Sequence, residues 1–385
     1  MQDLKKAGED FLELLKGQFD RVKKIKEQGD FVDYKKLETI KIGICYGDGI
    51  GPTIVSAAEK ILKQLLKEEI DSKKIELKNI EGLTIENRAK LKQSVPLNVL
   101  EQIKACHVFL KGPTTTPRKG DKWPSLESAN VVLRRELDLF ANVRPIKIEE
   151  EGIEWIFFRE NTEGSYTLGS LGLNLDELFV DFTVSTEVGT RRIAKLAFEY
   201  AKKTGKKKVS IITKANIIKT TDGNFLKICK DVSKEYPDIE VDDWYVDIAA
   251  AKLVDKATRK DFSVLILPNL YGDILTDEAA QLQGGVGTAG SANIGKKYAM
   301  FEAIHGSAPR MVEAGLSSFA DPTSILRACI LMLSHIGFVE KALKLEKALD
   351  YCTKKDSKIK VTGLENGATT EEFSNFLLET LNMAE

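Results

Sequence analysis

The mostly apolar run Ile40–Cys45 (IKIGIC) is followed by the glycine turn GDGIGP at residues 47–52, and then by helical periodicity over residues 53–66. A buried strand, a glycine turn and a helix in that order open an α/β domain. The pattern recurs along the chain. Apolar runs at 108–110, 155–158, 209–212 and 264–267 read as further strands, and helical patterns such as 190–204 and 225–235 lie between several of them. A chain of 385 residues is too long for one ordinary core, so two domains are expected. Residues 3–28 form a charged amphipathic helix with Leu4, Phe11, Leu15, Phe19, Val22 and Ile25 on one face, and they read as a docking helix. Residues 165–186 read as a β excursion, and 323–336 as an apolar helix of the core or a subunit interface.

Charge and cysteine usage narrow the function. The formal net charge is -1, and the Lys and Arg are interspersed with Asp and Glu, which argues against nucleic acid as a partner. Five dispersed cysteines with no CxxC pair fit reduced thiols in a cytosolic enzyme and no zinc site. No apolar run approaches the roughly 18 residues of a membrane span. The acidic residues near the N-terminus fit neither a secretory signal nor a transit peptide, so a cytoplasmic location is expected.

Several stretches could carry chemistry. NLYGDILTD at 269–277 sets Asp273 and Asp277 four residues apart, on one face of a helix that starts near Ile274 after a turn at 268–272. A divalent cation held through oxygen ligands would offset their repulsion. Two carboxylates favoured by the helix dipole would look the same. Arg134, Arg144 and Arg159 stand at element ends and suggest a clamp for the carboxylates of a small polyanionic substrate. Ser128 and Asn130 precede Arg134 on the same helix. Tyr166 lies in RENTEGSY, Lys214 directly after the strand 209–212, and Asp247 at a strand–helix junction. A Lys at a strand's carboxyl end suits general acid–base work. KGPTTTP (111–117), the glycine-dense loop 284–295 and FEAIHGSAPR (301–310) offer amides and hydroxyls to phosphate or ribose. GDGIGP is not GxGxxG, and no acidic ribose ligand follows it at the spacing of a Rossmann unit. It reads equally as a tight connection needing positive φ.

In this order, GDGIGP, KGPTTTP, LRRELDLFANVRP, FRENTEG, NLYGDILTD, GGVGTAGSANIG and HGSAP resemble the β-decarboxylating dehydrogenases, the family of isocitrate, 3-isopropylmalate, homoisocitrate and tartrate dehydrogenases. The resemblance runs from about Lys41 to the C-terminus. It implies a two-domain α/β fold that is not Rossmann, with an extra N-terminal helix. On this reading residues 1–39 are a helical extension, 40–143 plus 284–385 a large domain, and 144–283 a small domain with a dimer-forming excursion near 165–186. The resemblance further implies that Arg134, Arg144 and Arg159 bind substrate carboxylates, and that Tyr166 and Lys214 transfer protons. Asp247, Asp273 and Asp277 would hold Mg2+ or Mn2+, with Lys214 and Asp247 supplied by the other subunit of a homodimer that shares its active sites. Thr116, Asn216, Gly287, His305, Gly306, Ser307, Ala308, Arg310 and Asp321 would line the cofactor.

Within the family, Ser128 and Asn130 fit the pair that holds the third carboxylate of isocitrate. An isopropyl group there would leave both polar groups unpaired. Isocitrate is therefore the expected substrate, with 3-isopropylmalate or homoisocitrate as alternatives. A non-catalytic subunit that binds citrate-like ligands is disfavoured, because Tyr166, Lys214, Asp247, Asp273 and Asp277 are all present. Arg310 stands where NAD-preferring members carry Asp. However, Met311, Gly363 and Gly367 occupy the places of the other contacts that NADP-preferring isocitrate enzymes make to the 2′-phosphate. NAD is the expected cofactor, with NADP the alternative. Asp321-Pro322 departs from the Asn-Pro that usually reads adenine.

Overall fold

The computed structural model describes residues 2–117, 120–168, 171–354 and 356–383. Its strands in chain order are β1 (Ile40–Cys45), β2 (Ile75–Asn79), β3 (Val108–Lys111), β4 (Ala141–Ile148), β5 (Ile153–Glu160), β6 (Leu173–Leu175), β7 (Leu178–Val180), β8 (Lys208–Thr213), β9 (Glu240–Tyr245), β10 (Val264–Leu267), β11 (Gly290–Ile294) and β12 (Ala299–Ala303). The chain divides into two compact units, residues 32–139 with 283–385, and residues 1–31 with 140–282. Among the described residues, no helix is long and apolar enough to cross a membrane.

In the unit 32–139/283–385 the strands run in the order β2-β1-β3-β12-β11. β1 is parallel to β2 and β3, β3 is parallel to β12, and β11 is antiparallel to β12. Strands β1 and β3 are almost wholly apolar because both faces are covered. The core on one face gathers Val99, Ile103, Phe109, Leu133 and Met300. The helix Thr323–His335 packs on β11 and β12 and buries Ile325, Leu326, Cys329, Met332 and Leu333, so its apolar surface is core. Each such side chain contributes about 1.5–3 kcal/mol on full burial. All five cysteines are buried free thiols.

In the unit 1–31/140–282 the order is β4-β5-β10-β8-β9. β5, β10, β8 and β9 are parallel in turn, and β4 is antiparallel to β5. The N-terminal helix Gln2–Lys26 belongs to this unit, where Phe11 stacks on Phe182 with centroids 5.1 Å apart. The segment expected as a β excursion holds a short helix, Ser165–Leu168, and the antiparallel hairpin β6–β7.

Two expectations about local structure change. The helix carrying Asp273 begins at Asn269, not near Ile274, and runs to Gln283. Pro268 ends the strand segment, and its carbonyl accepts the Gly272 amide at 3.0 Å, which starts the helix. The glycine-dense stretch 284–295 is a loop only in its first part. From Gly290 it is strand β11, and a Cβ at Gly290 would meet the backbone nitrogen of Ala328.

Candidate active site

The unit 1–31/140–282 assembles its polar side chains around the first turns of the helix Asn269–Gln283. Asn269, Asp273, Thr276 and Asp277 share the face turned to β4 and β5. Arg159, at the end of β5, is fully buried. Its Nε and Nη2 donate to Asn269 Oδ1 at 3.0 and 2.7 Å, and its Nη1 donates to Asp273 Oδ1. The Arg159 stem lies across Gly272, where a Cβ would stand 2.5 Å from Arg159 Cγ and 2.6 Å from Cβ. Glycine in NLYGD is thus required by close approach. Arg144, on β4, donates through Nη1 to Thr276 Oγ1 at 2.6 Å and to Asp277 Oδ1 at 2.8 Å.

Tyr166 donates its hydroxyl proton to Asp273 Oδ2 at 2.6 Å, and the Arg159 guanidinium lies 5.2 Å from its ring centroid. Each arginine is buried, whereas the Asp273 and Asp277 side chains are 36% and 57% exposed. The carboxylates therefore face outward and the guanidiniums line the wall behind them. The substrate and metal candidates, expected as separate sets, are bonded to each other.

Lys214 and Asp247 form a second group. Lys214 follows β8, and its Nζ lies 2.5 Å from Asp247 Oδ1. Its backbone amide donates to Asp222 Oδ2 at 2.7 Å. The hydrogen bond from Lys214 holds the Asp247 carboxyl below its usual range. Burial raises Asp222, against the opposing pull of that amide and of Tyr271. Around the pair, Ile217, Ile218, Tyr245 and Ile248 are exposed. Asn216 is exposed in the same turn. Among the described residues no three His, Cys, Asp or Glu side chains gather as a metal site. Asp273 and Asp277 supply hard oxygen donors of the kind Mg2+ or Mn2+ prefers. They fit such an ion as part of a coordination shell that other oxygens must complete.

The unit 32–139/283–385 brings its loops together through GDGIGP. Asp48 Oδ1 accepts the Ile85 amide and Oδ2 the Thr115 amide, both at 2.7 Å. Gly47 and Gly49 have φ of 71° and 62°, and a Cβ there would collide with the carbonyls of Pro113 and Ser307. Thr115 Oγ1 and Ser307 Oγ are 2.8 Å apart. KGPTTTP and HGSAP therefore meet over the glycine turn, which acts as a close-packed connection between them. Thr116, Gly306 and Arg310 are exposed beside it, and His305 Nδ1 lies 3.1 Å from the Gly306 carbonyl. Ala308 adopts a left-handed φ of 48° at the start of the helix Pro309–Glu313. Asp321 Oδ1 accepts the Thr323 amide at 2.8 Å, just before the helix Thr323–His335. Gly287 sits in the turn before β11 with open space where a Cβ would be.

Ser128 precedes the helix Ala129–Glu136, and its side chain makes no capping bond. Asn130 Oδ1 accepts from Thr114 Oγ1 at 3.3 Å. Arg134 is buried, with Nη2 3.3 Å from Glu302 Oε1. Glu302 also takes Lys111 Nζ at 3.2 Å and Asn293 Nδ2 at 2.8 Å. Burial pushes its carboxyl up, but Lys111, Arg134 and Asn293 outweigh this and hold it down. Sequence reasoning assigned no role to Glu302, Asn293, Asn269 or Asp48. For Glu302 the signal was present as a lone charge in the apolar strand AMFEA, a position that needs a buried partner.

Residues 41–377 match the family model described as isocitrate/isopropylmalate dehydrogenase. The chain belongs to that family, and its fold is the mixed α/β architecture of a member of known structure. The crystal structure of isocitrate dehydrogenase from Methylococcus capsulatus is similar with a TM-score of 0.77 and 35% identity, covering 89% of this chain and 99% of that one. Among curated proteins, an isocitrate dehydrogenase [NADP] of Rickettsia prowazekii is 37% identical over 80% of this chain, which spans 62% of that relative's length. A probable isocitrate dehydrogenase [NAD] subunit alpha, mitochondrial, of Drosophila melanogaster is 34% identical over 88% of this chain and 86% of its own. Relatives named for either cofactor thus stand at similar identity.

Proposed function

We propose that this chain catalyses oxidative decarboxylation of isocitrate to 2-oxoglutarate and CO2, with Mg2+ or Mn2+, and reduces NAD in preference to NADP. The observation that carries the reading is the outward row of Asp273 and Asp277, each backed by a buried arginine, with Tyr166 bonded to Asp273. Arginines suit the carboxylates of the substrate, and aspartates would suit a divalent cation with its hard oxygen donors. Ser128 and Asn130 favour an acid whose third substituent is itself polar, because an isopropyl group would strand them.

Asp273 and Asp277 would hold the metal, with Asp247 of a second copy and the substrate's own oxygens completing its shell. The metal would polarise the hydroxyl and the ketone, and would stabilise the negative charge left by decarboxylation. Lys214 of the second copy, having released its own proton to solvent once Asp247 engages the cation, takes the hydroxyl proton as the hydride leaves carbon for the nicotinamide. The bond to the departing carboxylate then breaks as CO2 and leaves its electron pair on carbon. Tyr166 delivers a proton to that carbon. The exposed Ile217, Ile218 and Ile248 around the Lys214–Asp247 pair support a homodimer in which this face is covered.

For the cofactor, Gly363 has a φ of 75°, and a Cβ at Gly367 would stand 2.8 Å from the Thr362 nitrogen. Both positions need glycine, so neither offers a tyrosine or arginine to a 2′-phosphate. Steady-state kinetics on isocitrate, 3-isopropylmalate and homoisocitrate, each with NAD and NADP, test the reading. A kcat/KM for isopropylmalate or homoisocitrate about tenfold above that for isocitrate would overturn the substrate assignment. A clear NADP preference would overturn the cofactor assignment alone.

A further inference from the structure

The N-terminal helix Gln2–Lys26 lies outside the matched residues 41–377, yet it reaches the polar turn that precedes Tyr166. Arg21 Nη1 donates to Glu163 Oε1 at 2.9 Å, and Nη2 to Thr162 Oγ1 at 2.9 Å. The turn is buried throughout, with Glu160, Asn161, Thr162 and Glu163 each no more than 6% exposed. Glu160 folds it by accepting the Thr162 and Glu163 amides, the latter at 2.6 Å. Glu163 anchors it by accepting the Thr186 amide at 2.8 Å.

Two buried carboxylates three residues apart repel each other, and the guanidiniums at hand are Arg21 and Arg192, whose Nη2 donates to Thr162 Oγ1 at 3.0 Å. Burial and the Glu163 charge push the Glu160 carboxyl up to about 7, against the lowering effect of Arg21 and Arg192. The turn in turn fixes the site. The Glu163 carbonyl accepts Asn269 Nδ2 at 2.9 Å, and the same Asn269 receives Arg159 through Oδ1. The Thr162 carbonyl accepts Thr167 Oγ1 at 2.6 Å, one residue beyond Tyr166.

We propose that Arg21 is a positioning residue for the active site, holding the Thr162–Glu163 turn so that Asn269 orients Arg159 and the following helix presents Tyr166. The proposal rests on the functional reading above for the roles of Arg159 and Tyr166. The turn itself can be examined without any substrate. The full chain would be compared with Arg21→Ala, Arg21→Lys and Phe11→Ala. Phe11→Ala weakens docking of the same helix without touching the turn.

Amide hydrogen exchange at Thr162, Glu163 and Gly164 is measured, together with kcat and KM for whichever of the three acids the wild type turns over fastest. In Arg21→Ala, exchange at these amides should rise at least tenfold and kcat fall roughly 10- to 100-fold, as expected for a displaced catalytic group. Added ethylguanidinium should restore part of the rate, and Arg21→Lys should lie between the two. Phe11→Ala should lower the melting temperature but leave kcat within about twofold. The proposal is overturned if Arg21→Ala changes neither exchange nor kcat, or if Phe11→Ala lowers kcat as much as Arg21→Ala does. If Arg21→Ala does not fold, Arg21→Lys is judged by the same two readouts. If the wild type turns over none of the acids, the functional reading fails, and the exchange data alone decide whether Arg21 holds the turn.

Discussion

Gly272→Ala should cripple the site through one methyl group. A Cβ at this position would stand 2.5, 2.6 and 3.0 Å from Arg159 Cγ, Cβ and Cδ. Ordinary contact begins near 3.4 Å, so about 1 Å of relief is needed. The Arg159 stem cannot swing away, because its Cβ is fixed by β5 and the side chain is fully buried. The helix Asn269–Gln283 must move instead, and Asn269 and Asp273, which together take Nε, Nη2 and Nη1 of Arg159, move with it. Overpacking of this kind costs about 1–3 kcal/mol. Misplacing an orienting arginine by such a distance costs roughly 10²-fold in kcat/KM.

Gly223 provides the comparison, because it lies in the helix Thr221–Ser233 with no atom within 4 Å of a built Cβ. Gly223→Ala should stabilise by about 0.5–1 kcal/mol through helix propensity. Thermal denaturation of both variants and kinetics with isocitrate are the assays. Equal melting temperatures for the two variants, or a Gly272→Ala enzyme with unchanged kcat/KM, would refute the reasoning.

Other expectations follow from single groups. His335 is buried against Tyr34, with Nε2 3.1 Å from its hydroxyl, and burial pushes the ring down to about 4 from an ordinary 6.5. The unfolded chain therefore binds the extra proton between those values, and stability falls as pH drops from 6.5 to 4, by about 3 kcal/mol at most. Urea titrations across that range should show the slope, and His335→Gln should flatten it. Removing divalent metal with EDTA should abolish turnover and added Mg2+ or Mn2+ should restore it, with Asp277→Asn raising the half-saturating metal concentration roughly tenfold or more. Unchanged metal dependence in Asp277→Asn would count against the metal role. Arg310→Asp should lower kcat/KM for NADP about tenfold while leaving that for NAD nearly unchanged, which a two-cofactor comparison measures directly.

The parallel strands β1, β3, β8 and β10 were legible because both of their faces are covered and their sequences are therefore mostly apolar. β9 (EVDDWY) and β2 (IELKN) lie at the ends of their strand orders and carry mixed polar residues, so β9 shows no clear period and β2 only a four-residue alternation. The glycine stretch misled by half, since Gly290 is glycine to let β11 approach a helix backbone and not to form a loop. In the site, Arg144, Arg159, Asp273 and Asp277 were marked out by residue type, although Arg144 lies within β4 and not at an element end. Their pairing was not, because Arg159 and Asp273 are 114 residues apart in sequence and Arg144 and Asp277 are 133. Only the fold makes those introductions. The turn 160–163 escaped because its glutamates look like ordinary surface charge until burial is known.

The pairing of Arg159 with Asp273 and of Arg144 with Asp277 has a thermodynamic corollary. A cation that engages an aspartate weakens that aspartate's hold on its arginine, and so leaves the guanidinium better disposed to a substrate carboxylate. A substrate carboxylate on the arginine does the converse and leaves the aspartate better disposed to the cation. If Asp273 and Asp277 hold the cation and Arg144 and Arg159 the acid, as proposed, each ligand removes a competitor of the other, and their binding free energies are coupled with the same sign in both directions. Metal affinity measured by titration should then rise when the acid is present, by the same factor by which metal raises affinity for the acid.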